Sequence, residues 1–408
     1  MLELSAPAGR ALLDRLADAG EAECLRPSFI AALRRDHSAP LVGLALRVAE
    51  ARRRASEKLL RSEKLYFTPE LLEQASAHPP SLHRARRLAP AGKVLDLGCG
   101  AGGDLMNLAG LGEAAGLERD PLALAMAKAN LAERGLRAEL RQGEFPGTEL
   151  PAFDALFADP ARRGGGRRPG GSGRAGRSLR PDEFSPPPSA IRPLLDASKA
   201  WCVKWGPALD LSHDALSAPG ALLEGMRRED YELELVSWRG ELREAAIWGG
   251  DLPRARAAAT VLEGDLEDFR VHRFEGDPDL PPPPLREPGD WIYEPDASLF
   301  RAGILADFSI RNKLDLLADR IAYLSSDHRV VSPFLRAYRR LESFPFSLAR
   351  AQEALDRHGA GELILKKRGF PQAPEDLRKR LKVGEGEPAV LVLHRDRRGH
   401  RAHLCRIG

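Results

Sequence analysis

The passage that most restricts the fold is Val94-Leu95-Asp96-Leu97-Gly98-Cys99-Gly100-Ala101-Gly102-Gly103. A short apolar run containing one acid enters a glycine-rich turn, and GGDLMNLAG continues as a helix. A strand that feeds a helix through such a turn belongs to a parallel β-α unit with both sheet faces covered. The alternation goes on downstream. EAAGLER reads as a strand, and PLALAMAKANLAERG as a helix with Pro at its start and Gly past its end. AELRQGEF, FDALFADP and KAWCVKWGP read as further strands. YELELVSWRGELREAAIWGG reads as two β segments around Arg239-Gly240, and RAAATVLEG as a last strand. The expected fold class is therefore α/β.

The chain has 408 residues, enough for two or three domains. Residues 1–90 carry apolar residues at helical spacing, with Thr68-Pro69 as a helix start, and are expected to form an N-terminal helical region. The α/β core is expected over 91–275. A Pro-rich linker (GDPDLPPPPLREPGD) and a mostly helical connector follow over 276–335, then a small α/β module over 336–408. The stretch 162–180, with seven Arg and seven Gly, is expected to be a flexible loop. No run of 18 apolar residues is present, and the first residues lack a signal-peptide layout. Cys24, Cys99, Cys202 and Cys405 are far apart and form no CxxC pair. This argues against a disulfide scaffold and a zinc site, and agrees with a reducing cytoplasm.

Net charge is +3, yet residues 336–408 hold 17 Lys/Arg against nine Asp/Glu, so the remainder is net acidic. That asymmetry points to a polyanionic partner, although a chain with 51 Arg and 11 Lys also decorates ordinary surface with Arg. Within the module, Lys366-Lys367-Arg368-Gly369-Phe370 either contacts phosphates and stacks a base or guards an edge strand. His394, His400 and His403 lack metal-ligand spacing and are expected at the surface or on phosphates. No metal is expected.

Three stations fall along the carboxyl ends of the strands, where doubly wound sheets bind ligands. Gly98 and Gly100 let the backbone approach a ligand, and Asp96 suits a cationic ligand end such as an ammonium. The spacing G-x-G-x-G-G departs from the dinucleotide fingerprint. Glu118 is placed to accept ribose hydroxyls, and Gln142-Gly143-Glu144-Phe145 offers an acceptor and an apolar wall for adenine. After the fourth strand comes Asp159-Pro160-Ala161-Arg162, where Asp159 either orients a substrate or caps the strand and pairs with Arg162. Lys204 and Asp210 flank the next strand exit, as a substrate clamp or as an ordinary turn. Cys202 lies within a strand and is expected in the core.

DLGCGAGG followed by LERDP resembles the S-adenosyl-L-methionine site of class I methyltransferases. The resemblance implies a Rossmann-like core that uses this cofactor. It assigns the cofactor contacts to Asp96, Gly98, Gly100, Glu118, Glu144 and Phe145. It also places the methyl acceptor at Asp159, Pro160 and Arg162. Base-amino methyltransferases carry (Asp/Asn/Ser)-Pro-Pro-(Phe/Tyr) there, of which this sequence keeps Asp159 and Pro160 but has Ala161 and Arg162 in place of the second proline and the ring; uracil C5 enzymes resemble Asp-Pro-x-Arg but need a cysteine nucleophile in a later motif, and no convincing one is present.

The ordered motifs TPELLEQAS, DPARR, VKWGPALD, SWRGELREAAIW, YEPDASLFRAG, AYLSSD and LILKKRG resemble bacterial class I methyltransferases with a C-terminal THUMP-like domain, over roughly residues 65–408. THUMP domains bind structured RNA in several RNA-modifying enzymes. The implied activity is methylation of a base nitrogen in tRNA or rRNA, with Lys204, Lys366, Lys367 and Arg368 on the substrate and the Gly/Arg-rich loop closing over phosphates. Methylation of a small molecule or protein, or RNA binding without catalysis, are the alternatives.

Overall fold

The computed structural model describes residues 1–162 and 184–408, which form two compact units. The first comprises Met1–Leu233, Arg243–Arg254 and Gly264–Arg270, and the second the remainder from Glu234. The Gly/Arg-rich stretch lies, apart from the backbone of Arg162, outside the described residues.

In the first unit the strands are β1 (Val94–Leu97), β2 (Ala114–Glu118), β3 (Glu139–Gln142), β4 (Ala155–Ala158), β5 (Ala161–Arg162), β6 (Phe184–Ser185), β7 (Ala200–Trp205), the start of β8 (Glu232–Trp238) and most of β9 (Glu241–Gly250). The main sheet runs β3-β2-β1-β4-β7-β9, parallel throughout except for β9. β5 and β6 form a separate antiparallel pair just after β4. Every residue of β1 and β4 is buried, as parallel strands covered on both faces require. Crossover helix Gly103–Leu111 follows the left-handed Gly102 without a side-chain cap, whereas Pro121–Glu133 starts at a capping acid. Asp120 accepts from the Leu122 amide at 2.8 Å, with Pro121 at the first helical position.

The N-terminal residues are helical as expected, and Thr68 caps Pro69–Gln74. They do not form a separate domain. Leu12, Leu16, Val42, Val48 and Leu88 share one core with Leu105, Met126, Phe157 and Trp248. The buried Asn130 carboxamide joins this region to the glycine turn. It accepts from the Tyr66 amide (2.6 Å) and donates to the carbonyls of Tyr66 (2.9 Å) and Ala101 (2.8 Å).

The second unit carries the rest of β8, most of β10 (Ala257–Gly264) and of β11 (Phe269–Gly276), then β12 (Trp291–Pro295), β13 (Asp315–Ala318), β14 (Ile321–Ser326), β15 (Leu335–Pro345), β16 (Ala360–Arg368), β17 (Glu387–Asp396) and β18 (Gly399–Ile407). Its seven-stranded sheet runs β13-β14-β12-β15-β18-β17-β16. The connector expected over 276–335 and the basic module expected over 336–408 share this sheet and belong to one compact unit. The expectation of a mostly helical connector is corrected, since it has only Ala297–Arg301 and Leu305–Arg311 as helices. The β13–β14 hairpin turns through Asp319-Arg320, with Arg320 at φ 58°, so no glycine marks it. β11, β15 and β18 escaped the sequence reading.

Period-2 alternation divides the second unit's core. Ala389, Leu391 and Leu393 of β17 pack on one face with Phe344, Leu355 and Leu404, and Val390 and Val392 on the other with Tyr323, Tyr338 and Cys405. His394 and His403 also lie inside, 2% and 0% exposed, which corrects their expected surface position. Their Nε2 atoms are 2.9 Å apart, and His403 Nδ1 meets Ser343 Oγ at 2.8 Å. Burial, then the neighbouring His394, Arg401 and Arg340, push His403 down to about 3. His394, packed edge-on to Tyr323, is also lowered by burial, against the opposing pull of the Arg395 backbone and Asp396. An unfolded imidazole titrates near 6.5, so between about pH 6.5 and 3 the unfolded chain binds more protons and stability falls with falling pH. The urea midpoint of the second unit is expected to drop between pH 7.5 and 5, and His403→Asn to flatten that dependence; an equal drop in the variant rules the pair out as its source. Among the described residues no helix is long and apolar enough to cross a membrane.

Candidate active site

The glycine turn leaves β1 with three left-handed residues, Gly98 (φ 90°), Gly100 (φ 54°) and Gly102 (φ 86°). A Cβ at Gly98 or Gly100 would meet nothing within 4 Å, so both face open space. One at Gly102 would press on Ala127. The Gly98 and Cys99 amides donate to the Leu117 carbonyl at 2.9 and 3.0 Å, which fastens the turn to β2. Glu118 ends β2. Its carboxylate accepts from the Gly100 amide and from the Asp120 amide, each at 2.8 Å. Each oxygen keeps a further lone pair for a ligand hydroxyl.

Asp96 is 2% exposed, and its Oδ2 is buried with no hydrogen-bond partner. Burial, followed by the negative charges of Asp104, Asp159 and Glu118, raises its carboxyl well above the usual range, and Arg84 only partly opposes this. Beyond β4, Asp159 is half-buried and Pro160 is buried. Lys204, near the end of β7, donates to Asp159 Oδ2 at 2.5 Å. Burial alone lowers an ammonium, but Asp159 and Glu244 outweigh it and Lys204 is raised.

Beneath this pair lies a group that sequence reading missed. Arg84, on helix His78–Leu88, is 1% exposed, pairs with both Asp104 and Glu244, and donates to Ser76 Oγ at 2.8 Å. Its guanidinium also lies 5.1 Å from the centre of the Phe157 ring on β4. The available signal was weak: Glu244 is an acid within the mostly apolar passage ELREAAIW, and Asp104 follows Gly-Gly.

The other expected residues are distributed as follows. Glu144 is exposed and pairs with Arg119 at 2.9 Å, and Phe145 is half-buried before a cis peptide to Pro146. Arg162 enters β5, and its side chain falls outside the described residues. Asp210 is exposed and accepts from the Ser212 amide at 2.9 Å, a turn. Cys202 is fully buried in β7, as expected, and Cys99 is buried beneath the turn. In the second unit Lys366 pairs with Glu294 at 2.8 Å, and Arg368 lies 3.9 Å from Glu294 and 5.4 Å from the Tyr323 ring centre. Lys367 donates to the Phe370 carbonyl at 3.2 Å. Phe370 is 6% exposed between Phe346 and His400, which counts against stacking a base, one of the two readings of its segment. It lines a cleft of about 420 Å³ with Lys367, Gly369, Pro371, Arg395 and His400.

A parallel sheet that ends in a glycine cradle, an acid on the second strand and an acid after the fourth defines a class I methyltransferase core. A methyltransferase-domain family model matches residues 88–162, and a THUMP-domain-like model matches 335–407. An uncharacterized S-adenosylmethionine-dependent methyltransferase of Mycobacterium tuberculosis is 33% identical over 347 residues, 83% of this chain and 87% of the relative. It is matched equally in strains CDC 1551 and H37Rv. The crystal structure of a Porphyromonas gingivalis W83 protein designated a methyltransferase superposes with a TM-score of 0.72 over 98% of each chain at 20% identity, a likeness of fold. The chain belongs to the S-adenosylmethionine-dependent methyltransferases, with a C-terminal THUMP-like domain.

The residues present fit that cofactor. The open cradle at Gly98 and Gly100 admits backbone contact, Glu118 has acceptor capacity to spare, and the orphaned carboxylate oxygen of Asp96 suits a cation. Because a cationic ligand favours ionised Asp96, cofactor binding is expected to release a proton and to tighten as pH rises through the titration of Asp96. Calorimetry in buffers of different ionisation heat reads this directly. Asp96→Asn is expected to remove the buffer dependence, and persistence of that dependence would assign the proton to another group.

Proposed function

We propose that this methyltransferase acts on RNA, tRNA or rRNA. Asp96, Gly98, Gly100 and Glu118 hold the cofactor, with Glu144 and Phe145 at its adenine end. When bound, the cofactor supplies a methyl group on a positively charged sulfur. The chain contributes position: the cradle fixes the donor and Asp159 fixes the acceptor, which makes methyl transfer effectively unimolecular. All four cysteines are unpaired, in keeping with the cytoplasm.

The observation that carries the RNA reading is the basic cleft of the THUMP-like domain, with Lys367, Arg395 and His400 on its wall. Exposed Arg378, Lys379, Arg380 and Lys382 add to the positive charge of the same domain. Lys366 and Arg368 are tied to Glu294, so phosphate contact falls to Lys367 and Arg395 rather than to the whole Lys-Lys-Arg triplet. At the acceptor station, sequence reasoning favours a base nitrogen, oriented by Asp159 and the Pro160 carbonyl. The Lys204 ammonium on Asp159 is the observation that favours an oxygen acceptor instead.

The test compares modified nucleosides in RNA from cells with and without the gene, followed by methylation of the deficient RNA by the purified chain. A methylated nucleoside missing from the deficient RNA is expected. Binding of that RNA should weaken steeply with salt, and Lys367→Glu with Arg395→Glu should weaken it further and lower the salt slope. Unchanged RNA, with labelled methyl in a metabolite or protein fraction, overturns the reading.

A further inference from the structure

Five side chains from five separate elements run inward from the acceptor station with alternating charge: Asp159 after β4, Lys204 on β7, Glu244 on β9, Arg84 on helix His78–Leu88 and Asp104 on helix Gly103–Leu111. Charge alternation alone is a packing device. Its placement beside the acceptor discriminates between two kinds of nucleophile.

A nitrogen that receives a methyl group gains positive charge as the carbon–nitrogen bond forms. An exocyclic amine therefore needs hydrogen-bond acceptors around it and no cation. Here the Lys204 ammonium is 2.5 Å from Asp159 Oδ2, so it occupies part of that carboxylate and opposes a developing positive charge. A hydroxyl oxygen makes the opposite demand. It is a weak nucleophile that must shed a proton, and its oxygen becomes more negative as it does so. A carboxylate to take the proton and an ammonium to stabilise the oxygen are the pair it needs. Lys204 stays protonated in this setting, since Asp159 and Glu244 outweigh the effect of burial, so it serves as the cation and Asp159 as the base.

The surroundings agree. A nitrogen site also holds its base against an aromatic ring. The aromatic position of that motif is Arg162 here, and Phe157 on β4 and Trp205 on β7 are only 1% and 4% exposed. Neither ring is open to stack a base.

The geometry points to a ribose 2′-hydroxyl of RNA as the methyl acceptor, seated between the Asp159 carboxylate and the Lys204 ammonium. This rests on the reading of RNA as substrate. In the transfer the hydroxyl oxygen forms a bond to the methyl carbon and gives its proton to Asp159, and through it to water. The sulfur–methyl bond breaks with its electron pair left on sulfur, so the products are a methyl ether, a neutral thioether and one proton. Arg84 and Glu244 are positioning residues: Glu244 faces Lys204, and Arg84 holds Glu244 in place.

The full chain is incubated with methyl-labelled S-adenosylmethionine and RNA from cells lacking the gene, and the RNA is then hydrolysed in alkali. A 2′-O-methyl group blocks cleavage at its own phosphodiester, so the label is expected in alkali-stable dinucleotides. Label in mononucleotides overturns the hydroxyl assignment and leaves the RNA reading standing. RNA that takes up no label overturns the RNA reading itself, and the hydroxyl assignment with it. Lys204→Met and Asp159→Asn are each expected to slow transfer on the order of 10²- to 10³-fold while calorimetric cofactor affinity changes less than about threefold. Undiminished transfer by Lys204→Met would also overturn the assignment.

Discussion

Replacing Arg84 by methionine is expected to destabilise the first unit by about 3–5 kcal/mol, the largest effect of any single substitution proposed for this protein. The guanidinium is 1% exposed and is the shared partner of Asp104 and Glu244, both largely buried. Methionine fills much of the same volume, so the loss is electrostatic: two carboxylates in a low-dielectric site lose the cation that contacts them directly and keep the Lys204 ammonium. Desolvation pulls Asp104 up, and Arg84 is the first of the groups that more than offset this and hold it below its usual range. For a unit of this size the melting temperature should fall on the order of 10 °C. Adding Glu244→Gln to the variant removes one stranded charge and is expected to restore part of the loss. A melting temperature unchanged by Arg84→Met would show that the network contributes no net stability.

Glu118→Ala is expected to weaken cofactor binding on the order of 10²-fold while the chain stays folded. One carboxylate accepts from two backbone amides, Gly100 and Asp120, and so sets the turn that faces the ligand. Hydrogen bonds to a charged group are each worth about 1.5–3 kcal/mol. Alanine removes both, together with the acceptor for ribose hydroxyls. Glu149→Ala, exposed and 3.8 Å from Arg141, serves as the comparison and should change affinity little. Titration calorimetry measures both variants. Equal affinities for wild type and Glu118→Ala would remove Glu118 from the cofactor site.

Much of the first unit was legible because its elements announce themselves locally. Apolar runs ending in glycine, Pro at helix starts and Gly past helix ends are one-dimensional signals, and they placed β1, β2, β4 and β7 with their helices. Asp96 and Glu118 were legible for the same reason, since an acid in or at the end of a buried strand stands out. The second unit was harder to read. Its β13–β14 hairpin turns on Asp319-Arg320 without a glycine, and Arg-rich β15 alternates poorly because it is only half-buried.

What the sequence determined by itself was the parallel β-α frame, its glycine cradle and its membership of the methyltransferases, because these depend on residues close together along the chain. Tertiary structure alone decided what Asp159 faces, where Arg84 lies and that His394 and His403 are internal. Arg84 and Glu244 are 160 positions apart and meet only because a helix and an antiparallel strand converge on one sheet. The charge around a reacting atom is a sum over neighbours in space, and no local pattern in the chain encodes that sum.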